Sequence, residues 1–120
     1  MSDKFCVSIT NAKNDTDRAT VGFVVANAAV GSGQETVVFL STDAVHLAVE
    51  GYADDIHEEG FAPLKELITN FTEAGGTLYV CSPCFKKRGL DEAALVPGSQ
   101  IAGGAMLIEF LAGGTPCISY

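Results

Sequence analysis

The sequence predicts an α/β fold: a single three-layer α/β/α domain, residues 1–120, built on a mainly parallel five-stranded sheet. Short runs rich in β-branched and aromatic residues alternate along the chain with longer runs of helical spacing. Strands separated by helices pair in parallel, because each crossover returns the chain to the same end of the sheet. Glycines close most of these runs, as expected where a helix needs a stop. At 120 residues the chain can bury one core and has no room for a second domain.

Phe5–Ile9 is apolar and reads as the first strand. Asp15, Thr16 and Asp17 are candidate caps for a helix over Arg18–Val30. Val21, Phe23, Val24 and Val25 in that segment are strand formers. Ala19, Ala26, Ala28 and Ala29, the length of the run and the stop at Gly31-Ser-Gly33 favour helix. Glu35–Ser41 is the second strand, with Thr42 or Asp43 capping a helix over Ala44–Tyr52. An acidic loop containing His57 follows. Pro63 then opens a helix whose Leu64, Leu67, Ile68 and Phe71 share one face. Gly75-Gly76 ends it, and Thr77–Val80 is the third strand. The remainder reads as a helical turn within Leu90–Val96, a strand over Ser99–Ala102, a helix over Ala105–Ala112 and a last strand over Pro116–Tyr120.

Hydrophobic residues make up 48% of the chain and charged residues 18%. That excess of apolar residues suggests burial against other subunits. No apolar run approaches the roughly 18 residues of a membrane span. The start, MSDKFCVSIT, lacks a signal-peptide layout, so a cytoplasmic location is expected. A net charge of -8 argues against a nucleic-acid partner.

The unusual chemistry is concentrated in TLYVCSPCFKKRG, residues 77–89. Cys81 and Cys84 form the only close cysteine pair, placed where a strand hands over to a helix. Ser82 can cap that helix and Pro83 can open it. Lys86, Lys87 and Arg88 supply three of the seven basic residues. A thiol between a helix N-terminus and a local positive cluster ionises more easily than a free one, and the thiolate is the nucleophile. Cys81 and Cys84 are therefore the candidate catalytic residues, with Ser82, Lys86, Lys87 and Arg88 stabilising the anion. Cations in a last helical turn also complement the helix dipole without any catalytic part.

Cys6 and Cys117 lie near the starts of their strands, roughly 10 Å or more from Cys81 at about 3.3 Å per residue, and read as small buried hydrophobes. That separation and the absence of a second CxxC argue against zinc, and no cofactor is called for. His46 reads as a partly buried structural residue. Cys-Ser-Pro-Cys also resembles a dithiol redox motif, with Thr115-Pro116 before a strand. The motif nevertheless follows the third strand and has no aromatic residue before Cys81.

Val80-Cys81, followed by six residues and Arg88-Gly89, resembles the loop that carries the sulfur-accepting cysteine of the DsrE/DsrF-like family. The resemblance continues through Gly98-Ser-Gln-Ile-Ala-Gly-Gly to the closing Cys-Ile-Ser-Tyr120. It implies a YchN-like three-layer fold, trimers or hexamers, and a persulfide on Cys81 that exchanges sulfur with donor and acceptor proteins. Cys84 departs from the single-cysteine pattern of sulfur carriers. The expectation is a cytoplasmic sulfur-carrier or sulfurtransferase-like homo-oligomer. Its rivals are a dithiol/disulfide oxidoreductase using Cys81 and Cys84, and a non-catalytic binding protein of the same fold.

Overall fold

Five parallel strands, β1 (Lys4–Ile9), β2 (Glu35–Leu40), β3 (Thr77–Cys81), β4 (Ser99–Ala102) and β5 (Cys117–Ser119), form one sheet in the order β4-β3-β2-β1-β5. This computed structural model describes residues 3–120. Met1 and Ser2, which open the stretch read against a signal peptide, lie outside the described residues. The chain steps outward from β1 to β4 and then returns across the sheet to place β5 beside β1. Parallel crossovers keep one hand, so a reversal of direction moves the connecting helix to the opposite face. Accordingly, α1 (Thr16–Gly31) and α2 (Leu64–Glu73) pack on the side of Val7, Val38, Leu78 and Val80, while α4 (Gly104–Leu111) packs on Cys6 and Val37 through Phe110. The predicted three layers follow from that one reversal.

The ambiguous valine-rich segment is helical. Ala19, Thr20, Phe23 and Ala26 recur at helical spacing on its buried face, and the Asp15 carboxylate accepts from the Arg18 N–H at 3.1 Å. Gly22 lets this helix approach the sheet, since a β-carbon there would stand 2.6 Å from Ile9 Cδ1.

The helix expected over Ala44–Tyr52 does not form. A 3₁₀ segment over Thr42–Ala48, with Ser41 rather than Thr42 or Asp43 at its N-cap, gives way to extended backbone at Val49. Val49 bridges Leu95, left-handed Gly51 turns the chain, and a second 3₁₀ segment covers Tyr52–Asp55. Ala44, Val45, Leu47 and Ala48 are all buried, and only Thr42, Asp43 and His46 reach the surface, so the apolar residues extend beyond the single stripe of a surface helix. Burial overrides helical propensity here. Between Leu90 and Val96 the expected turn is a 3₁₀ segment over Glu92–Ala94.

Cys117 corrects a second expectation. It is exposed, not buried, because β5 is an edge strand with no buried residue. The ladder beyond β5 is longer than three residues, since Cys6 N–H donates to Pro116 O at 3.0 Å and Tyr120 N–H to Ser8 O at 2.8 Å. Among the described residues, no helix is long and apolar enough to cross a membrane.

Candidate functional site

The carboxyl ends of β2 and β3 meet the first turn of α3 (Ser82–Lys87), and this junction holds both CxxC thiols. Ligands and chemistry collect at such strand ends in parallel sheets. Cys81 closes β3 and is itself the N-cap of α3, so Ser82 is the first helical residue and not the cap predicted for it. Pro83 fits the second position, where no intrahelical donor is needed. One helical turn then carries Cys84 back towards Cys81. Both cysteines are free, partly buried and packed against the rim of the main core.

The two thiols interact directly, and their surroundings divide them. Burial pushes the Cys81 thiol above its ordinary value, and its hydrogen bond to Cys84 adds to the rise. The Cys84 backbone N–H and Arg88 act the other way without reversing it. For Cys84, burial also raises, but it is outweighed. The Cys81 thiol, the Thr42 backbone N–H, Arg88 and Lys87 together hold Cys84 below the ordinary thiol range. Of the two, Cys84 is therefore the thiol that ionises first, with the Cys81 S–H placed to donate to its sulfur.

Thr42 is the site residue that sequence reading missed. Its φ of +50 is a left-handed conformation that β-branched residues avoid, costing about 1–3 kcal/mol. Its hydroxyl reaches Thr10 O at 2.6 Å and Ser41 O at 2.7 Å, which fixes the turn, and its N–H serves the Cys84 sulfur. The only signal in the sequence was its place directly after a strand.

The basic cluster separates on folding. Arg88 caps the end of α3, donates to Cys84 O at 3.2 Å and pairs with Asp43 at 2.9 Å. Its side chain is only 19% exposed, so it fastens α3 to the loop after β2. Lys87 is exposed and acts on Cys84 through space. Lys86 is not brought to either thiol; it lines an open depression with Ser82, Phe85, Gly89 and Leu90. His46 stacks on Tyr52 with ring centroids 5.0 Å apart, and burial followed by Arg88 lowers its pKa, so it is neutral near pH 7. His57 bonds Phe61 O at 2.7 Å in the acidic loop. Pro116 stands beside β5, with β1 and β2 between that strand and β3, so no proline faces the thiols from there. A cavity of about 130 Å³ lined by Leu47, Val49, Ile68, Val96 and Pro97 holds neither cysteine.

Alkylation by iodoacetamide, followed against pH, is expected to modify Cys84 at lower pH than Cys81. Arg88→Gln should move the Cys84 profile to higher pH, because removing a cation destabilises the thiolate. A Cys84 profile unmoved by that change would remove Arg88 from the site.

The sequence profile of the DsrE/DsrF-like family matches residues 3–119. Uncharacterized protein MJ0989 of Methanocaldococcus jannaschii is 33% identical over 108 residues, 90% of this chain and 91% of that protein. Uncharacterized protein MJ0760 of the same organism is 27% identical over 109 residues, which are 91% of this chain and 40% of that longer protein. The crystal structure of the ychN protein from E. coli superposes with a TM-score of 0.80 at 18% identity, covering 98% of this chain and 99% of that one. This last likeness concerns the fold.

Proposed function

Because this chain belongs to the DsrE/DsrF-like family, whose members generally take part in sulfur relay, we propose that it is a cytoplasmic sulfur carrier working through the Cys81–Cys84 pair. The observation that supports this reading is two free thiols in direct contact at the end of β3, one of them made the more acidic by the Thr42 N–H and Arg88. Cys81 is the acceptor. Its proton passes to Cys84 as its sulfur attacks the outer sulfur of a donor persulfide, R–S–SH. The donor thiolate leaves, and Cys81–S–SH remains. Transfer to an acceptor thiolate is the same exchange in reverse. The likeness of its loop to that of the family assigns the acceptor to Cys81; its raised pKa leaves little free thiolate, so the attack needs Cys84 to take the proton as the new S–S bond forms.

The same contact favours a second reading. The Cys84 thiolate can attack the inner sulfur of the Cys81 persulfide, which forms a Cys81–Cys84 disulfide and releases hydrosulfide. Intact mass after exposure to inorganic polysulfide, with the change mapped to peptide 66–86, separates the two. A carrier gains and keeps one sulfur atom until a thiol acceptor is added. A dithiol oxidoreductase instead loses two hydrogens as sulfide appears. A protein unchanged in mass would leave neither reading standing.

Assembly into a trimer or hexamer belongs to the proposal. Of the apolar residues of α4, Phe110 is buried, and Leu107 and Leu111 pack around it, whereas Ile108 is 66% exposed. Ile108→Glu is accordingly expected to shift sedimentation equilibrium towards the monomer without loss of folding. Leu107→Glu and Leu111→Glu should damage the fold. An Ile108→Glu protein with unchanged assembly would free this face from the interface.

A further inference from the structure

The two cysteines that sulfur transfer does not use stand side by side. Cys117 on β5 is the register partner of Cys6 on β1. Register partners in a sheet point to the same face, and neighbouring strands lie about 4.8 Å apart. That spacing falls within the roughly 4.4–6.8 Å between α-carbons that a disulfide spans. The Cys6 side chain does interact with the Cys117 thiol. Their surroundings are opposite. Cys6 has no exposed surface and lies in the cluster of Val37 and Phe110, while Cys117 is open to solvent on the edge strand. Two strands, β1 and β2, separate β5 from the strand that bears Cys81.

We propose that Cys6 and Cys117 form a second dithiol site, distinct from Cys81 and Cys84, which low-molecular-weight disulfides oxidise to a bond fastening edge strand β5 to β1. Access decides the order of events. The exposed Cys117 thiolate attacks a disulfide RSSR, forming a Cys117–SR mixed disulfide and releasing RS⁻. Cys6 loses its proton to the departing thiolate and attacks the Cys117 sulfur, releasing the second RS⁻. The pair gives up two electrons and two protons, and RSSR becomes two RSH. Burial keeps Cys6 protonated and out of reach of the reagent, so it does not react first; the second step is carried by its position beside the mixed disulfide, which makes the attack intramolecular. The bond adds a covalent tie to an edge segment otherwise held by backbone hydrogen bonds to β1, by the Thr10 hydroxyl on Tyr120 O and by the packing of Tyr120 on the core.

The Cys81→Ser/Cys84→Ser protein isolates this chemistry, and oxidised glutathione is the probe. The free-thiol count should fall from two to none, with a product that migrates as a single chain on a denaturing gel without reductant. Tryptic digestion should give peptide 5–13 linked to peptide 89–120. Adding Cys6→Ala should arrest the reaction at one glutathione on Cys117. The proposal is overturned if the double variant itself stops at that mixed disulfide, if the bond joins two chains, or if both thiols survive the reagent. Because Cys81 and Cys84 are absent from the test protein, a failure of the sulfur-carrier reading leaves this result intact.

Discussion

Cys81→Ser is expected to abolish sulfur loading, whereas Cys84→Ser should load slowly and hold its sulfur longer. Serine at 81 leaves no nucleophile where the acceptor sulfur stands. Serine at 84 leaves the nucleophile but removes both the base that takes its proton and the thiol able to expel hydrosulfide from the adduct. Loss of a positioned base costs about 10²-fold or more in rate. The deficit should shrink as pH rises, since Cys81, held above the ordinary thiol range chiefly by burial, then ionises without help. Initial rates of mass gain with inorganic polysulfide across a pH series measure all three effects. A Cys81→Ser protein that still gains one sulfur on peptide 66–86 would move the acceptor to Cys84. Loading of Cys84→Ser at the parent rate would remove the base.

The largest loss of stability is expected at the entry to β3. Phe71 is fully buried, meets Phe23 edge to face with centroids 6.0 Å apart, and lies over Gly76, where an added β-carbon would overlap its ring. Phe71→Ala should lower unfolding free energy by about 3–5 kcal/mol. Gly76→Ala should lower it by about 1–3 kcal/mol through overpacking. The double variant should lose less than the sum, because the methyl group of one fills space vacated by the other. Urea unfolding of the four proteins gives the coupling, and strict additivity would mean that the two residues do not meet. β3 begins at Thr77 and ends at Cys81, so Phe71→Ala should also speed alkylation of Cys81.

The layout of strands and helices was legible because the dominant forces are local in sequence. Leu64, Ile68 and Phe71 announce one helical face, and Glu35–Leu40 announces a buried strand by its apolar run. Thr42–Ala48 misled because its burial is imposed by distant partners, including the bridge from Val49 to Leu95. Cys117 misled because strand order decides which strand forms an edge, and its apolar neighbours do not. The CxxC stretch stood out by its cysteine spacing, its place between a strand and a helix, and the basic residues that follow it. What spacing could not give was the division of charge within it. That division depends on Thr42, thirty-nine positions before Cys81, adopting φ +50, and on Arg88 turning to Asp43 while Lys86 turns away.

Localising a transferred sulfur atom tests the account most directly. The unmodified protein, loaded with isotopically heavy inorganic polysulfide and capped with an alkylating reagent, is digested with trypsin and sequenced by tandem mass spectrometry. The predicted result is one heavy sulfur within peptide 66–86, on Cys81, that disappears when an acceptor thiol is added before capping. Heavy sulfur on peptide 5–13 or 89–120 in place of peptide 66–86, or none on any peptide, would contradict it.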